Sequence, residues 1–113
     1  MAYFHKLTVY QLARENLRDV AVTTRGIVGF GDLSNQLRRA AISVVSNISE
    51  GAGAGGNAQF VRYLKIARAS ANEMQAQLEI LADLGEIGPE HPVHDRCDRL
   101  GRSLTKLIQH LSG

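Results

Sequence analysis

Apolar residues recur three and four positions apart in four separate stretches of the chain. The first runs Tyr10, Ala13, Leu17, Val20, Thr24, Ile27, and the second Leu37, Ala41, Val44, Ile48. The third is the longest, with Phe60, Leu64, Ala67, Ala71, Met74, Leu78 and Leu81, and the fourth carries Val93, Cys97, Leu100, Leu104, Leu107 and Leu111. Steps of three and four keep side chains on one stripe of a 3.6-residue helix, whereas a half-buried strand alternates by two. No segment alternates over five or more residues, so the pattern predicts an all-α chain. Glycines gathered at 26–31, 51–56 and 85–88, with Pro89 and Pro92, divide the four stretches.

The expected ends agree with this division. Ser34 or Asp32 is placed to cap the second helix and Asn57 the third, because a short side-chain oxygen accepts from the free N–H groups of a first turn. Gly51 and Gly85 are expected to close the helices before them in the left-handed conformation. Pro92 suits the first turn of the last helix, where no N–H partner is lost. The third helix, about 27 residues, would extend ~40 Å at 1.5 Å per residue. Connections of roughly 5–9 residues favour neighbours that run antiparallel. The predicted fold is an antiparallel up-down four-helix bundle occupying residues 1–113 as one domain.

Length and cysteine content sharpen this picture without naming a function. A chain of 113 residues supports one core of modest size, and self-association would add to its stability. Its single cysteine excludes an internal disulfide and suits a reducing compartment. No apolar run reaches membrane-spanning length, and the first six residues lack a basic stretch followed by an apolar signal core. A cytoplasmic protein without a membrane partner is expected.

The third helix has a second stripe beside its core one: Tyr63, Ile66, Ser70, Glu73, Gln77, Ile80, Leu84. Its middle is polar and its ends apolar, unlike the charged face of a helix that buries one side only. The second helix carries a matching polar line, Gln36, Arg39, Ser43, Asn47, Glu50. Two readings stay open: a mixed boundary surface, or a hydrogen-bonded seam in which Arg38 or Arg39 meets Glu73 or Glu50. Charge is also sorted along the third helix. Arg62, Lys65 and Arg68 precede Glu73, Glu79, Asp83 and Glu86, the reverse of what the helix dipole favours. These halves are expected to meet complementary charge on a neighbouring helix or on another copy of the chain.

The net charge of +2 announces no nucleic-acid binder. The basic residues are nevertheless arranged: Arg96, Arg99, Arg102 and Lys106 share helical spacing on the last helix, and Arg14, Arg18 and Arg25 on the first. Ten of the thirteen basic residues are arginine, which favours forked contacts to phosphate or carboxylate. With Asp19, Asp95 and Asp98 interspersed, the same stripes also read as solvated faces. If they bind, Arg14, Arg18, Arg96, Arg99, Arg102 and Lys106 are the residues expected to contact phosphates.

Enzyme chemistry finds no support. Gly51 to Gly56 matches G-x-G-x-x-G, yet a helical pattern precedes it where the dinucleotide fold needs a strand, and no Gly-Lys-Ser/Thr follows. A di-metal bundle needs Glu-x-x-His on two helices, and there is none. His91, His94 and Cys97 are spaced three apart, but Cys97 falls on the core stripe and no second ligand pair accompanies it. Ser43 and Ser70 have no His–Asp partners by spacing, and His5 and His110 look terminal and solvated. Neither a metal nor a cofactor is expected.

Over the second and third helices the chain resembles a known family. Gln36-Leu37-Arg38-Arg39-Ala40, Ser43 and Asn47-Ile48-Ser49-Glu50-Gly51 match the signature Q-L-R-R-A-x-x-S-x-x-x-N-I-x-E-G, and Phe60, Leu64, Ala67, Ser70, Glu73 and Leu78 follow at the family's spacing. Leu7 to Gln11 is similar to its opening. The family is that of four-helix-bundle proteins encoded in intervening sequences of bacterial 23S ribosomal RNA genes, related to the accessory protein of diversity-generating retroelements. The resemblance covers about residues 5–110. It implies a ring-like homopentamer with a loosely defined role in binding RNA or DNA, or alternatively a protein-interaction scaffold that recruits a partner such as a reverse transcriptase. It also marks Gln36, Arg38, Arg39, Asn47, Glu50 and Glu73 as determinants of fold and assembly. Two positions depart from the family pattern: Ala54 where a basic residue is common, and Ala69 where glycine is. The first weakens the nucleic-acid case near that loop, and the second bears on how closely the helices pack.

Overall fold

The computed structural model describes residues 7–113, so the readings made of residues 1–6, His5 included, lie outside the described residues. Four helices account for the four stripes: α1 (Thr8–Thr23), α2 (Leu33–Ala52), α3 (Asn57–Asp83) and α4 (Pro92–Ser112). α1 packs on α2 and α4, and α3 packs on α2 and α4; among the described residues no diagonal pair meets. The result is a square, antiparallel up-down bundle measuring 43 × 21 × 21 Å, with a long axis close to the length of α3. Among the described residues no helix is long and apolar enough to cross a membrane.

The stripes of α2 and α3 bury as the periodicity predicts, with Leu37, Val44, Ile48, Leu64, Met74, Leu78 and Leu81 fully enclosed. Those of α1 and α4 are turned. Val9, Leu12, Ala13, Asn16 and Val20 form the buried side of α1, while Tyr10 and Leu17 stay half-buried. On α4, Ile108 is buried, and Leu107 and Leu111 pack partly on the core. Each helix touches two neighbours, so its buried arc centres between them; for α1 and α4 their mutual contact draws the arc round by about one residue.

That contact explains a buried polar group that periodicity missed. Asn16 is 1% exposed, and its Nδ2 donates to the carbonyls of Leu12 (3.2 Å) and, across the bundle, Arg96 (3.1 Å). A slip of α1 along α4 by one turn would take Asn16 away from the Arg96 carbonyl, so this bond sets their relative height. Thr24, the C-cap of α1, does similar work toward α2. Its Oγ1 donates to the Val20 carbonyl (2.8 Å) and accepts from Arg38 Nη1 (3.0 Å).

The helix ends correct several expectations. Pro92 does open α4, and the preceding His91 caps it by accepting the Val93 N–H on Nδ1 at 3.1 Å. Gly85 has φ +76°, with Glu86 N–H bonded to Leu81 O and Gly85 N–H to Ala82 O, a Schellman closure of α3. Gly51, however, does not end α2; the helix continues through Ala52 to a C-cap at Gly53. Gly51 is instead a point of close approach, where a Cβ would lie 2.7 Å from Tyr63 Cβ and 3.0 Å from Phe60 Cδ1. Asn57 is the first residue of α3 rather than its cap, a position held by Gly56 at φ +130° with no side-chain bond. Asp32 occupies the N-cap position of α2, but its carboxylate serves other side chains instead of the first-turn N–H groups.

Candidate assembly flank and nucleic-acid interface

The polar lines of α2 and α3 meet. Ser43 Oγ and Ser70 Oγ lie 2.9 Å apart, and Asn47 Nδ2 donates to Ser43 O (2.8 Å) and Ser43 Oγ (3.1 Å). One turn further along α3, Gln77 Nε2 donates to Glu73 Oε1 at 3.3 Å. Gln36, Arg39, Ser43, Ser70 and Glu73 line a shallow depression of about 240 Å³ over this seam. The seam is thus hydrogen-bonded, by neutral groups at the Ser43–Ser70 crossing and with the Glu73 carboxylate accepting from Gln77, but not by an arginine–carboxylate pair.

The arginines expected to join it turn elsewhere. Arg38 reaches Thr24 and the Asn35 side chain, and Arg39 pairs with Asp32 at the start of its own helix. Asp32 stands seven residues before Arg39, on the same helical face and closer than any acid of α3, while Arg38 lies on the side of α2 that meets α1. Glu50 and Glu73 receive no cation among the described residues. The sorted charges of α3 behave alike: none of Arg62, Lys65, Arg68, Glu73, Glu79, Asp83 or Glu86 enters an ion pair among the described residues. Neighbouring helices therefore do not supply the complementary charge.

Apolar side chains frame this polar centre. Ile66 and Ile80 on α3 and Leu84 at its C-cap follow the spacing of Ser70 and Glu73 and are 44%, 46% and 45% exposed. Water covers these three large aliphatic groups on one flank of the α2–α3 pair.

The basic residues separate into groups that their spacing did not distinguish. Arg96 faces α1, where Nη1 meets Asp19 Oδ1 at 2.8 Å and Nε lies 3.7 Å from Glu15 Oε1. It ties α4 to α1. Arg14 lies over the Tyr10 ring at 5.9 Å, and Arg18 beside it is exposed. On α4, Arg99 and Lys106 are exposed and enter no ion pair among the described residues, and Arg102 Nε pairs with Asp98 Oδ2 at 3.2 Å. Arg102 and Lys106 border a groove of about 480 Å³ between α3 and α4, which Arg68 enters from the α3 side. The spacing had placed Arg68 only within the charge sorting of α3. Its place beside the same groove as Arg102 depends on the antiparallel register of two helices, for which a single helix carries no signal.

The residues weighed for metal or nucleophilic chemistry have other work. His91 caps α4, His94 Nε2 lies 3.1 Å from Gly88 O, and Cys97 Sγ donates to Ala71 O at 3.7 Å. Among the described residues no three His, Cys, Asp or Glu side chains gather as a metal site. Burial, with a smaller contribution from Asp98, pushes the Cys97 thiol up to about 12. A thiolate is the reactive form, so a disulfide-exchange reagent at pH 8 is expected to label Cys97 only after denaturation. Rapid labelling of the native protein would contradict its burial. The raised value also means that unfolding favours the thiolate once pH passes the ordinary value of 9.0, so stability is expected to fall between about pH 9 and 12.

No curated protein is similar enough to the chain to match it. Among solved structures, a protein of unknown function from the S23 ribosomal protein family of Bacteroides thetaiotaomicron has the same fold, at TM-score 0.81 and 24% identity, covering 89% of this chain and 98% of that one. The signature Gln36–Gly51 and the α3 residues that build the seam with it lie within a longer match: the profile of the 23S rRNA-intervening sequence protein covers residues 5–106, and the chain belongs to that family.

Proposed function

We propose that this protein is a non-enzymatic bundle of the cytoplasm that self-associates through the α2–α3 flank, as a ring of five copies, and holds nucleic acid by its phosphates. The observation that carries the nucleic-acid reading is the outward charge that no acid among the described residues pairs with, at Arg18, Arg99 and Lys106. Arginine and lysine on open helix faces suit phosphate oxygens, and repetition around a ring would multiply a weak protomer site. The name of the family supports RNA as the first candidate. Self-association is supported by the exposed Ile66, Ile80 and Leu84 around a polar centre, the composition of a surface that another protein covers.

Two measurements test these parts separately. Light scattering is expected to give five times the chain mass, falling to one for the double variant Ile66→Glu and Ile80→Glu; a mass that the substitutions leave unchanged removes the flank from assembly. Fluorescence anisotropy with labelled structured RNA and duplex DNA is expected to show binding that weakens steeply with salt. Absence of binding at low salt, together with a partner protein retained after nuclease treatment, would favour a protein scaffold instead.

A further inference from the structure

We infer that the groove between α3 and α4 is the seat of the nucleic-acid phosphate backbone, an inference that rests on the nucleic-acid reading above. Three cations, Arg68, Arg102 and Lys106, border it, with Asn72, Gln75 and Thr105 between them as neutral hydrogen-bonding groups. Among the described residues Asp98 is the sole acid of the lining and pairs with Arg102, so three positive charges against one negative leave the groove with two in excess.

Its shape follows from Gly101. A Cβ there would find nothing within 4 Å, so the middle of α4 lies open where any side chain would project into the groove. The register follows from the Cys97–Ala71 contact: counting three residues away from it along antiparallel helices brings Arg68 level with Leu100, two residues (about 3 Å along the axis) short of Arg102. Lys106 follows Arg102 by one turn, about 6 Å along the axis, close to the separation of neighbouring phosphates on one strand.

The lining also selects among polyanions. Among the described residues it contains no apolar side chain to anchor a peptide and no aromatic ring on which a base could stack. Phosphate contacts from arginine, lysine, amide and hydroxyl groups remain, and these position a strand without reading its sequence. Ser70 faces α2, whereas Arg68, Asn72 and Gln75 border the α4 side of the same helix. Assembly through the α2–α3 flank would therefore leave the groove open in every copy.

The test compares the unaltered protein with two charge variants, R68Q/R102Q/K106Q in the groove and R14Q/R18Q on α1, in anisotropy titrations against labelled single-stranded RNA. Four of the five positions are exposed and Arg68 is half-buried, so circular dichroism melts check that the folds are equal. The α1 variant is expected to lose clearly less affinity than the groove variant, because Arg18 adds positive charge outside the groove but no contact within it. The groove variant is expected to lose at least tenfold in affinity, and its slope of log K against log salt to flatten by roughly 2, as the loss of three phosphate contacts predicts. Gly101→Leu, which fills the groove without changing charge, is expected to weaken binding as well.

A groove variant or a Gly101→Leu protein that binds like the original overturns the inference. Loss in the α1 variant alone overturns it too, while the nucleic-acid reading survives. If the unaltered protein binds no RNA or DNA, or binds polyglutamate equally well, the nucleic-acid reading falls and the groove with it.

Discussion

Replacing Gly51 by valine is expected to destabilise the bundle by roughly 3 kcal/mol, the upper part of the range for overpacking a closed interior. A Cβ at this position would stand 2.7 Å from Tyr63 Cβ, 3.0 Å from Phe60 Cδ1 and 3.3 Å from the Phe60 carbonyl oxygen. Tyr63 Cβ is bonded directly to the α3 backbone and cannot rotate away, so α2 and α3 must separate. That separation opens the same helix pair that holds the Ser43–Ser70 contact, and the flank is expected to suffer with the fold. Alanine should cost less, because the gain in helix propensity over glycine, about 1 kcal/mol, offsets part of the clash. Gly53→Ala is the control: its nearest neighbour would be 3.8 Å away, an ordinary contact. Urea midpoints at constant m-value measure all three. A valine protein as stable as the original would refute the close approach.

Leu78→Ala is expected to cost 2–5 kcal/mol, roughly the span for removing a buried leucine side chain and leaving a cavity. Leu78 is 0% exposed on α3, the helix that contacts both α2 and α4 along its length, so the hole is walled by three helices with little freedom to collapse. The half-buried Leu107 offers the contrast, since its alanine variant leaves a dent that water can fill. Stability of small domains is typically about 5–15 kcal/mol, so Leu78→Ala removes a large part of it. Measuring urea midpoints at several protein concentrations adds a second readout. If association contributes, the midpoint rises with concentration by mass action; equal losses for Leu78→Ala and Leu107→Ala would contradict the core described here.

The bundle was legible because its elements announce themselves locally. The stripes of α2 and α3 keep one spacing from end to end, and Pro92 and Gly85 act through their own backbone preferences. Positions that depend on a second helix were misplaced. Gly51 read as a terminator because it begins a glycine-rich turn, yet its missing side chain serves Tyr63 of the next helix. Tyr10 and Leu17 read as core because the arc of α1 was centred on its own apolar residues, whereas α4 draws it toward Asn16. One of the two open readings of the polar lines paired Arg38 or Arg39 with Glu73 or Glu50, and Thr24, Asn35 and Asp32 took the arginines instead.

The candidate surface divides in the same way. Family membership was legible in Gln36–Gly51, because a signature is a property of order along the chain. The two polar lines could likewise be read off α2 and α3, since side chains three and four apart share a face whatever the helix packs against. Their union through Ser43 and Ser70, the withdrawal of Arg96 into ion pairs with α1, and the meeting of Arg68 with Arg102 and Lys106 were decided by tertiary structure alone. Periodicity fixes the angle of a residue around its own axis. The rotation and height of one helix against another come from packing many side chains at once, and those two quantities determine which charges are neutralised and which remain open to a ligand.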